Sequence, residues 1–575
     1  MKSFRELQRN LKRDASGMAK VRLAVLADSS SQHFVQAIRG AAFDRHIALE
    51  VFEAPYSQID AQILDPTSEL HAFQPEFTLI WHAGERLLER FQTTPLRERA
   101  QFAEQKIAHV ADLVTALTER MATTVLYLNV AEFDDGVFGS YANKVAHSWP
   151  FQLRRFNYRL MELASERADL FIVDLAMVAA DFGRSFAHDR RVAAMTELLF
   201  SFDFLPVMVD RVLDVVDARR GRIRKCLILD LDNTLWGGVI GDDGVENIEL
   251  GALGAGHVFD ELQSWARALK ERGVLLAVCS KNDERIASEP FIRHPDMTLR
   301  LEDIAVFVAN WENKADNIRH IQSILDIGFD SMVFVDDNPA ERAIVRMELP
   351  DVIVPELPDD PADWLPALRR MNLFETTGFT EQDAQRTEQY RVEASRRSLR
   401  ANFSDEKEFL RSLEMVGSVE GFTSYNLPRV AQLTQRSNQF NLRTVRYDEA
   451  ELLALTQSPR HLCFAFSLND KFGHHGLISV VILEERGDGF FVDTWLMSCR
   501  VLKRGVEQHV LNTIADAVRD RGGVAIIGEY LPTAKNGLVK DHFESLGFVA
   551  HNGLWRLDLS AFMPSEPFIR THTFA

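Results

Sequence analysis

Two aspartates directly follow a short apolar run and could carry out phosphoryl transfer. The run Cys226–Leu229 leads into Asp230 and Asp232, and Thr234 comes two residues later. The apolar run predicts a buried strand, and carboxylates at such a strand end are costly unless they hold a cation or do chemistry. One carboxylate placed there can attack a phosphoryl group while the second transfers a proton.

Polar residues also follow three later apolar runs of the same region. Ser280 follows one run, Lys314 lies in the loop after the next, and Asp336 with Asp337 follows the third. The carboxyl ends of parallel strands meet at one edge of a sheet, so we expect these side chains to converge. A hydroxyl and an ammonium group suit phosphate oxygens, which completes the groups needed for phosphoryl transfer.

The acidic residues of this set favour magnesium over zinc. Mg²⁺ prefers oxygen ligands and keeps several of its water molecules, whereas zinc is usually held by histidine and cysteine. We expect Mg²⁺ as cofactor, held by Asp230, the backbone carbonyl of Asp232, and Asp336 or Asp337. Helix capping would explain a single aspartate, but it does not explain carboxylates that recur at several strand ends.

Four segments carry these residues in order, LDLDNTLW, VCSKND, WENKADN and VFVDDNPAER. They resemble the four motifs of the haloacid dehalogenase (HAD) superfamily of phosphatases. The resemblance implies that Asp230 forms an aspartyl-phosphate and that Asp232 is the general acid and base. The phosphate-binding residues that it implies are Thr234, Ser280 and Lys314. The residues that it implies on the magnesium side are Asp230, Asp232, Asp336 and Asp337.

The spacing of the motifs leaves no room for a large cap domain. Ser280 lies 50 positions after Asp230, and Lys314 lies 34 positions after Ser280. An open site does not exclude water from a small substrate by itself. It favours a phosphate presented on a macromolecule, or closure by a neighbouring domain. Residues 236–238 and 241–244, which are rich in glycine, predict a short flap hairpin beside the site.

Strand and helix patterns divide the chain into five predicted parts and give an α/β, multidomain fold class. In residues 1–220, short β-rich runs alternate with helices, which predicts a parallel sheet flanked by helices. Residues 221–380 repeat the alternation, which predicts a second parallel sheet around the phosphoryl-transfer residues, and the HAD resemblance implies that this sheet is Rossmann-like. A charged helical connector is predicted over 381–415, an α+β domain with a mainly antiparallel sheet over 416–560, and a tail over 561–575.

The α+β part contains a second candidate site. The segment DTWLMSCRVLKRGVEQHVLNTIADAV predicts a strand, a turn and a helix N-terminus that suits an anion, such as phosphopantetheine, beside Arg500, Lys503 and Arg504. With the later segment GEYLPTAKNGLVKDHFESLGF, which contains Asn536, it resembles the GNAT acyltransferase fold. The resemblance places Cys499 beside an acyl thioester, where Arg500 would lower the thiol pKa. Alternatively, Cys499 is a small buried hydrophobe at a strand end.

The first part carries only a weak catalytic signal. Ala27, Asp28 and Ser29 resemble the opening of the SGNH hydrolases, a flavodoxin-like esterase fold. Such an esterase also needs an Asp-x-x-His pair to activate the serine, and none occurs before Arg220. We therefore favour Asp28 and Ser29 as a cap on the following helix. This degenerate domain is expected to bind, to cover the open site or to dimerise.

The order of these parts resembles the FkbH-like family over nearly the whole chain. Members in polyketide pathways load a glyceryl group from 1,3-bisphosphoglycerate onto an acyl carrier protein and remove its phosphate, through a cysteine thioester. The resemblance implies a bifunctional transferase and phosphatase whose partners are a carrier protein and a phosphorylated three-carbon acyl donor. Long members of the family are thought to serve surface polysaccharide pathways, so the carrier-bound substrate stays open. The alternatives are an acyltransferase with a regulatory phosphatase-like domain and a noncatalytic carrier-protein scaffold.

The composition limits the partners. The net charge of −19 would repel a polyphosphate backbone, so we expect no nucleic acid. No apolar stretch approaches the roughly 20 residues that span a bilayer, so we expect no membrane insertion. The four cysteines show no disulfide or zinc spacing, which favours a reducing, cytoplasmic location.

Overall fold

In the part of the chain that the structure describes, three β-sheets, of five, four and eight strands, form the framework. The computed structural model describes residues 2–380, 387–388, 390, 406–437, 439–471, 473–487, 489–498, 501–565 and 568–573. The chain divides into two compact units, Met1–Ala218 and Arg219–Ala575. Among the described helices, none has both the length and the apolar character needed to cross a membrane.

The first unit contains the five-stranded sheet, in the order β2-β1-β3-β4-β5. Its strands are β1 Ala19–Ala27, β2 Ile47–Glu53, β3 Phe77–Trp81, β4 Thr124–Leu128 and β5 Leu170–Val173. Every neighbouring pair is parallel, as the sequence predicts. The helices are α1 Phe4–Asn10, α2 Gln32–Asp44, α3 Ile59–Leu64, α4 Glu69–Phe73, α5 Gly84–Thr93, α6 Phe102–Thr118, α7 Trp149–Ser165, α8 Leu175–Phe182, α9 Arg184–Ala187, α10 Arg190–Thr196 and α11 Leu205–Arg219.

Asp28 does not cap the helix that follows it, so this part of the sequence interpretation is wrong. Helix α2 begins at Gln32, and its N-cap residue Ser31 makes no side-chain cap hydrogen bond. The Asp28 Oδ1 atom instead accepts a hydrogen bond from the backbone N–H of Ala83, at 2.7 Å. Ser29 is buried, and its hydroxyl makes no hydrogen bond with the described residues. The carboxylate therefore joins the ends of two neighbouring strands, a contact that local sequence does not reveal.

The second unit begins with a four-stranded parallel sheet, in the order β8-β7-β6-β9. Its strands are β6 Cys226–Leu229, β7 Leu275–Ser280, β8 Ile304–Ala309 and β9 Met332–Val335. Its helices are α12 Ile240–Asp243, α13 Gly256–Glu271, α14 Glu284–Arg293, α15 Lys314–Leu325, α16 Pro339–Glu348 and α17 Trp364–Arg370. Both faces of the sheet are covered by apolar side chains. The strands all run the same way, so the polar residues that follow them share one edge.

The remaining sheet has eight strands, in the order β15-β16-β14-β13-β12-β11-β10-β17. These are β10 Val416–Glu420, β11 His461–Asp470, β12 Gly473–Arg486, β13 Gly489–Met497, β14 Ala525–Gly528, β15 Val549–His551, β16 Leu554–Asp558 and β17 Arg570–Thr573. The sheet is mainly antiparallel, as predicted, with parallel pairs only at β10–β17 and β13–β14. Its helices are α18 Glu406–Ser412, α19 Leu427–Arg436, α20 Glu449–Gln457, α21 Val506–Asp520 and α22 His542–Ser545. Most of the predicted connector lies outside the described residues.

A single glutamine links the loop after β6 to the segment before β8. The Gln263 Nε2 atom donates a hydrogen bond to the backbone oxygen of Leu235 at 2.7 Å. Its Oε1 atom accepts from the backbone N–H groups of Thr298 and Leu299, at 3.0 and 3.1 Å. The side chain is fully buried. Gln263 therefore satisfies three backbone groups that water does not reach.

We expect Gln263→Leu to lower the free energy of unfolding of the second unit by about 3 kcal/mol, because it leaves these buried groups without partners. The matched control is Gln322→Leu, which removes one hydrogen bond, to Ile327 at 3.0 Å, from a half-buried side chain. That control should cost about 1 kcal/mol. Urea unfolding followed by far-UV circular dichroism measures both, and equal losses would contradict the special role of Gln263.

Candidate active site

The four-stranded sheet brings the ends of its strands together at the predicted site. Asp230 follows the inner strand β6, and its backbone N–H donates to the oxygen of Val335 at 3.0 Å, which extends the pairing with β9 by one residue. Ser280 is the last residue of β7, Lys314 is the first residue of α15, and Asp336 directly follows β9. Backbone pairing alone therefore fixes the position of Asp230, the candidate nucleophile.

Lys314 lies between two of the carboxylates. Its Nζ atom is 2.9 Å from Asp230 Oδ1 and 2.5 Å from Asp336 Oδ2. All three side chains are buried. Burial alone would lower the pKa of Lys314, but the charges of Asp230 and Asp336 outweigh it and raise that pKa above its ordinary value. Lys314 is therefore an ammonium ion over the whole physiological pH range.

The cluster has more negative than positive charge. One carboxylate oxygen from each of Asp230, Asp336 and Asp337 lies within 4.8 Å of the others. Burial, and then the charge of Asp230, raise the pKa of Asp336 to about 6, although Lys314 acts in the opposite direction. The same two causes raise the pKa of Asp337. Three carboxylates around one ammonium group leave a deficit of positive charge that a divalent cation would fill.

Two side chains hold the backbone of the loop after β9. The Arg342 guanidinium donates to the backbone oxygens of Asp336 and Asp337, at 2.8 and 2.7 Å. The Thr234 hydroxyl, which is fully buried, accepts a hydrogen bond from the N–H of Asp337 at 3.1 Å. Thr234 therefore joins the loops after β6 and β9. Sequence reasoning did not single out Arg342, and its position in the helix turn after the two aspartates is the signal that could have found it.

Asp232 lies in a different environment from Asp230. Its Oδ1 atom accepts hydrogen bonds from Trp236 Nε1 at 3.0 Å and from the N–H of Ile240 at 2.9 Å. Its Oδ2 atom accepts from Asn282 Nδ2 at 3.0 Å. Burial is the main cause that raises the pKa of Asp232, and the charge of Asp230 adds to it. The Asp232 carboxylate is not part of the three-carboxylate cluster, and the role of its backbone carbonyl stays a prediction.

The flap beside the site differs in detail from the predicted hairpin. Gly237 pairs with Glu249, through backbone hydrogen bonds of 3.0 and 2.8 Å. Residues 241–244 do not form the second arm, because Ile240–Asp243 forms a helical turn whose Asp243 carboxylate accepts from the N–H of Val239 at 2.7 Å. Gly238 has a φ of +95°, so glycine is needed at this bend.

A second lysine, Lys281, lies next to the predicted phosphate-binding residue Ser280. Lys281 follows Ser280, and its Nζ atom donates to Glu341 Oε1 at 2.6 Å. The Ser280 backbone oxygen accepts from the N–H of Asn310 at 3.1 Å, which ties the ends of β7 and β8 together. Ser280 itself is buried beside the cluster loops. The phosphate-binding roles of Ser280, Thr234 and Lys314 stay predictions that this arrangement allows.

The second predicted site is only partly described. Cys499 and Arg500 lie outside the described residues. Lys503 is exposed, and its N–H donates to Glu507 Oε1 at 3.1 Å. Arg504 is buried and lies 3.9 Å from Asp470 Oδ2. The described part therefore shows one exposed cation, and the carrier-binding roles of Arg500, Lys503 and Arg504 stay predictions.

Asn536, the fourth predicted carrier-binding residue, is fully buried. Its Nδ2 atom donates to the backbone oxygens of Asn441 and Leu531, at 3.0 and 2.9 Å. Its Oδ1 atom accepts from the N–H of Thr533 at 2.7 Å. The amide is therefore engaged by the chain itself.

The described cysteines are poor nucleophiles. Cys226 and Cys279 are buried, and Cys463 is half-buried. Burial raises the pKa of Cys279 to about 12 and that of Cys226 further still. Burial, and then the charge of Asp493, raise the pKa of Cys463 to about 12. None of these three thiols is a thiolate at neutral pH.

Comparisons with known proteins give two kinds of match. A family model described as the N-terminal domain of FkbH matches residues 22–217. The crystal structure of the N-terminal part of the protein BF1531 from Bacteroides fragilis, which contains a phosphatase domain and is complexed with Mg, is 47% identical. That match covers 66% of this chain and 100% of that chain, with a TM-score of 0.64. No curated protein matches the chain.

Weaker matches fall on acetyltransferase structures. The ribosomal-protein-S18-alanine N-acetyltransferase from Escherichia coli is 18% identical over 25% of this chain and 94% of that chain, with a TM-score of 0.20. A likeness at that level carries no conclusion about activity. The BF1531 structure is different, because it is matched over its whole length with nearly half of its residues identical. Together with the matching N-terminal model, this similarity places the chain in the FkbH-like family.

Proposed function

We propose that this protein is a magnesium-dependent phosphatase whose nucleophile is Asp230. The observation that carries the proposal is the buried cluster in which Lys314 pairs with Asp230 and Asp336, at 2.9 and 2.5 Å, beside Asp337. Such a cluster is unfavourable as a purely structural element, because three desolvated carboxylates share one cation. It is well suited to a divalent metal ion, which balances the excess negative charge and so allows a phosphate group to approach Asp230.

The residues present fit Mg²⁺. Asp230, Asp336 and Asp337 supply the hard oxygen ligands that this ion prefers, and no histidine or cysteine joins their group in the described chain. The BF1531 relative, 47% identical, is described as complexed with Mg. When bound, the ion would neutralise charge on the phosphate oxygens and so reduce the repulsion of the attacking carboxylate.

In the first step, an Asp230 carboxylate oxygen attacks phosphorus, and the bond from phosphorus to the leaving oxygen breaks. The leaving oxygen takes a proton from Asp232, whose raised pKa favours its acid form more than that of an ordinary aspartate. Lys314 and Ser280 hold the phosphate oxygens. In the second step, water attacks the aspartyl-phosphate, Asp232 takes up the proton of that water, and phosphate leaves with Asp230 restored.

The hydrogen bonds of Asp232 link its carboxylate to the flap. Both of its oxygens accept from donors in this conformation, two of them on the flap at Trp236 and Ile240. A small movement of the flap would free one oxygen to protonate the leaving group. We propose that the flap, which bends at Gly238, couples substrate entry to the availability of this acid.

For the substrate, we propose an acyl group that is carried on an acyl carrier protein and bears a phosphate. Family membership supports this class, and the short intervals between the motifs support an open site that a carrier-bound group reaches. We further propose that the protein loads the acyl group itself, from a phosphorylated three-carbon donor such as 1,3-bisphosphoglycerate, with Cys499 as the transient thioester. The intact phosphoryl-transfer cluster favours an enzyme over a noncatalytic scaffold.

Asp230→Asn should lower phosphate release from a generic phosphomonoester at least about 1,000-fold, because an amide oxygen is a far weaker nucleophile. Asp232→Asn should slow the second step, so that intact-protein mass spectrometry detects a phosphate adduct on the enzyme. The matched control is Asp351→Asn, at an exposed position, which should retain full activity. Substantial turnover in Asp230→Asn would sink the assignment of the nucleophile.

Lys314→Met should destabilise the metal-free protein by about 3–5 kcal/mol, because it leaves buried carboxylates without their cation. Millimolar Mg²⁺ should recover part of this loss, since the ion binds the folded state only. The control Lys281→Met removes the pair with Glu341, which is more exposed, and should cost less than about 1 kcal/mol. Thermal unfolding with and without Mg²⁺ measures both, and the absence of any stabilisation by the ion in either variant would argue against a metal at the cluster.

The loading activity has a direct assay. Incubation with Mg²⁺, 1,3-bisphosphoglycerate and a phosphopantetheinylated carrier protein should give a glyceryl mass on the carrier. Cys499→Ser should lose this product and also the acyl thioester on the enzyme, while phosphate release from a generic ester persists. Cys463→Ser is the matched control and should keep both activities, because burial holds its thiol protonated. Unchanged loading by Cys499→Ser would remove this cysteine from the proposal.

A further inference from the structure

Two parallel strands of the eight-stranded sheet diverge after a short contact. β13 pairs with β14 only at Phe490 and the residue on each side of it, opposite Ala525, Ile526 and Ile527. β13 then runs on to Met497, still paired with β12 on its other edge. The second half of β13 therefore turns one edge toward a gap that β14 does not fill. An extended ligand with amide groups could pair with such an edge.

The gap is occupied by the chain itself. We name residues 440–442 the inserted segment. The backbone oxygen of Phe440 accepts from the N–H of Met497 at 3.1 Å, and the N–H of Leu442 donates to the oxygen of Trp495 at 3.3 Å. On its other side, the oxygen of Leu442 accepts from the N–H of Leu531, after β14, at 2.9 Å. The inserted segment thus continues the sheet between the two diverging strands.

Side chains fasten the inserted segment in place. Asn536 Nδ2 donates to the backbone oxygen of Asn441 at 3.0 Å, and Asn441 Oδ1 accepts from the N–H of Thr444 at 2.8 Å. Phe440 is 3% exposed, while Asn441 and Leu442 are both fully buried. The ring of Phe440 packs edge-on against His542, with centroids 4.9 Å apart. Removal of the inserted segment would expose apolar surface and leave buried backbone groups of two strands unpaired.

The residue that follows is held as firmly. Arg443 Nε donates to Glu529 Oε2 at 2.8 Å, and its Nη1 atom donates to Asp493 Oδ1 at 2.8 Å. Glu529 directly follows β14, and Asp493 lies in β13. Arg443 therefore bridges the two strands at the point where they separate, next to the inserted segment.

From this we infer that the inserted segment is a permanent strand of the domain, so that no pantetheine or coenzyme A thioester binds between β13 and β14. The N–H of Met497 and the oxygen of Trp495, which such an arm would need, are already paired within the chain. Asn536 serves the inserted segment and not a ligand. Acyl chemistry in this protein takes place outside the gap, and the acyl carrier arm approaches another surface. The occupation of the gap does not depend on the proposed function, whereas the statement about the acyl carrier arm rests on it.

Hydrogen exchange of the full-length protein tests the inference without any turnover. The reporters are the amides of Leu442, Met497 and Leu531. With millimolar coenzyme A, or with a phosphopantetheinylated carrier protein, their exchange rates should change by less than about twofold. Changes above about tenfold that are confined to these amides would overturn the inference, because they would show a ligand displacing the inserted segment.

A covalent lock gives an independent test. Asn441 and Leu496 face each other as an antiparallel pair, so Asn441→Cys with Leu496→Cys places two thiols within disulfide reach. The oxidised and reduced forms should match the wild type in their calorimetric response to coenzyme A, because the disulfide closes only the gap. Binding by the reduced form that disappears on oxidation would overturn the inference. If the double variant does not fold, the exchange experiment on the wild type decides alone.

A variant of Asn536 and a matched control can be compared by the same hydrogen-exchange measurement. Asn536→Ala should speed exchange at Leu442 and Leu531 by about tenfold or more, because it removes the hydrogen bonds to Asn441 and Leu531. Asn512→Ala removes one hydrogen bond, to the oxygen of Ser565 at 2.8 Å, and should leave both amides unchanged. Equal effects of the two variants would show that the inserted segment is not held as described.

Discussion

The placement of one ammonium group between two buried carboxylates is the constraint on which the active site depends. Lys314 is fixed by the start of α15, Asp230 by the end of β6, and Asp336 by the end of β9. Their charges attract strongly because water is excluded, yet the desolvation of all three is costly. The parallel sheet makes this unfavourable arrangement possible because its backbone pairing holds the strand ends next to one another. The site therefore keeps a surplus of negative charge, which a divalent cation would balance.

The sequence was sufficient to predict this site because its elements are local and regular. The motif residues lie at the end of strands of four to six residues or in the segment that follows them, and parallel strands must present their carboxyl ends at one edge. What could not be predicted depends on contacts between distant segments. The Asp28 carboxylate reaches Ala83 instead of its own helix, and Asp232 is turned toward Trp236 and Asn282. Such choices are set by tertiary packing, which local propensity does not encode.

The eight-stranded sheet shows the same limit more sharply. Its mainly antiparallel class follows from the strand pattern, but the inserted segment joins residues near 441 to partners near 496 and 531. The resemblance implies that Asn536 binds a ligand, and the structure shows that its buried amide holds Asn441 and Leu531. A buried asparagine between strands often satisfies backbone groups, and sequence alone does not distinguish that role from ligand recognition.

The two sheets of the second unit differ in how the polar groups at strand ends find partners. A strand that ends or diverges leaves polar groups that need partners. In the four-stranded sheet, those places carry three carboxylates, and one ammonium group does not neutralise all of their charge. Chemistry is therefore possible there. In the eight-stranded sheet, the chain supplies the missing partners itself through residues 440–442, and the gap is closed. Folding therefore leaves unbalanced charge at the strand ends of the four-stranded sheet and pairs the backbone groups at the gap of the eight-stranded sheet.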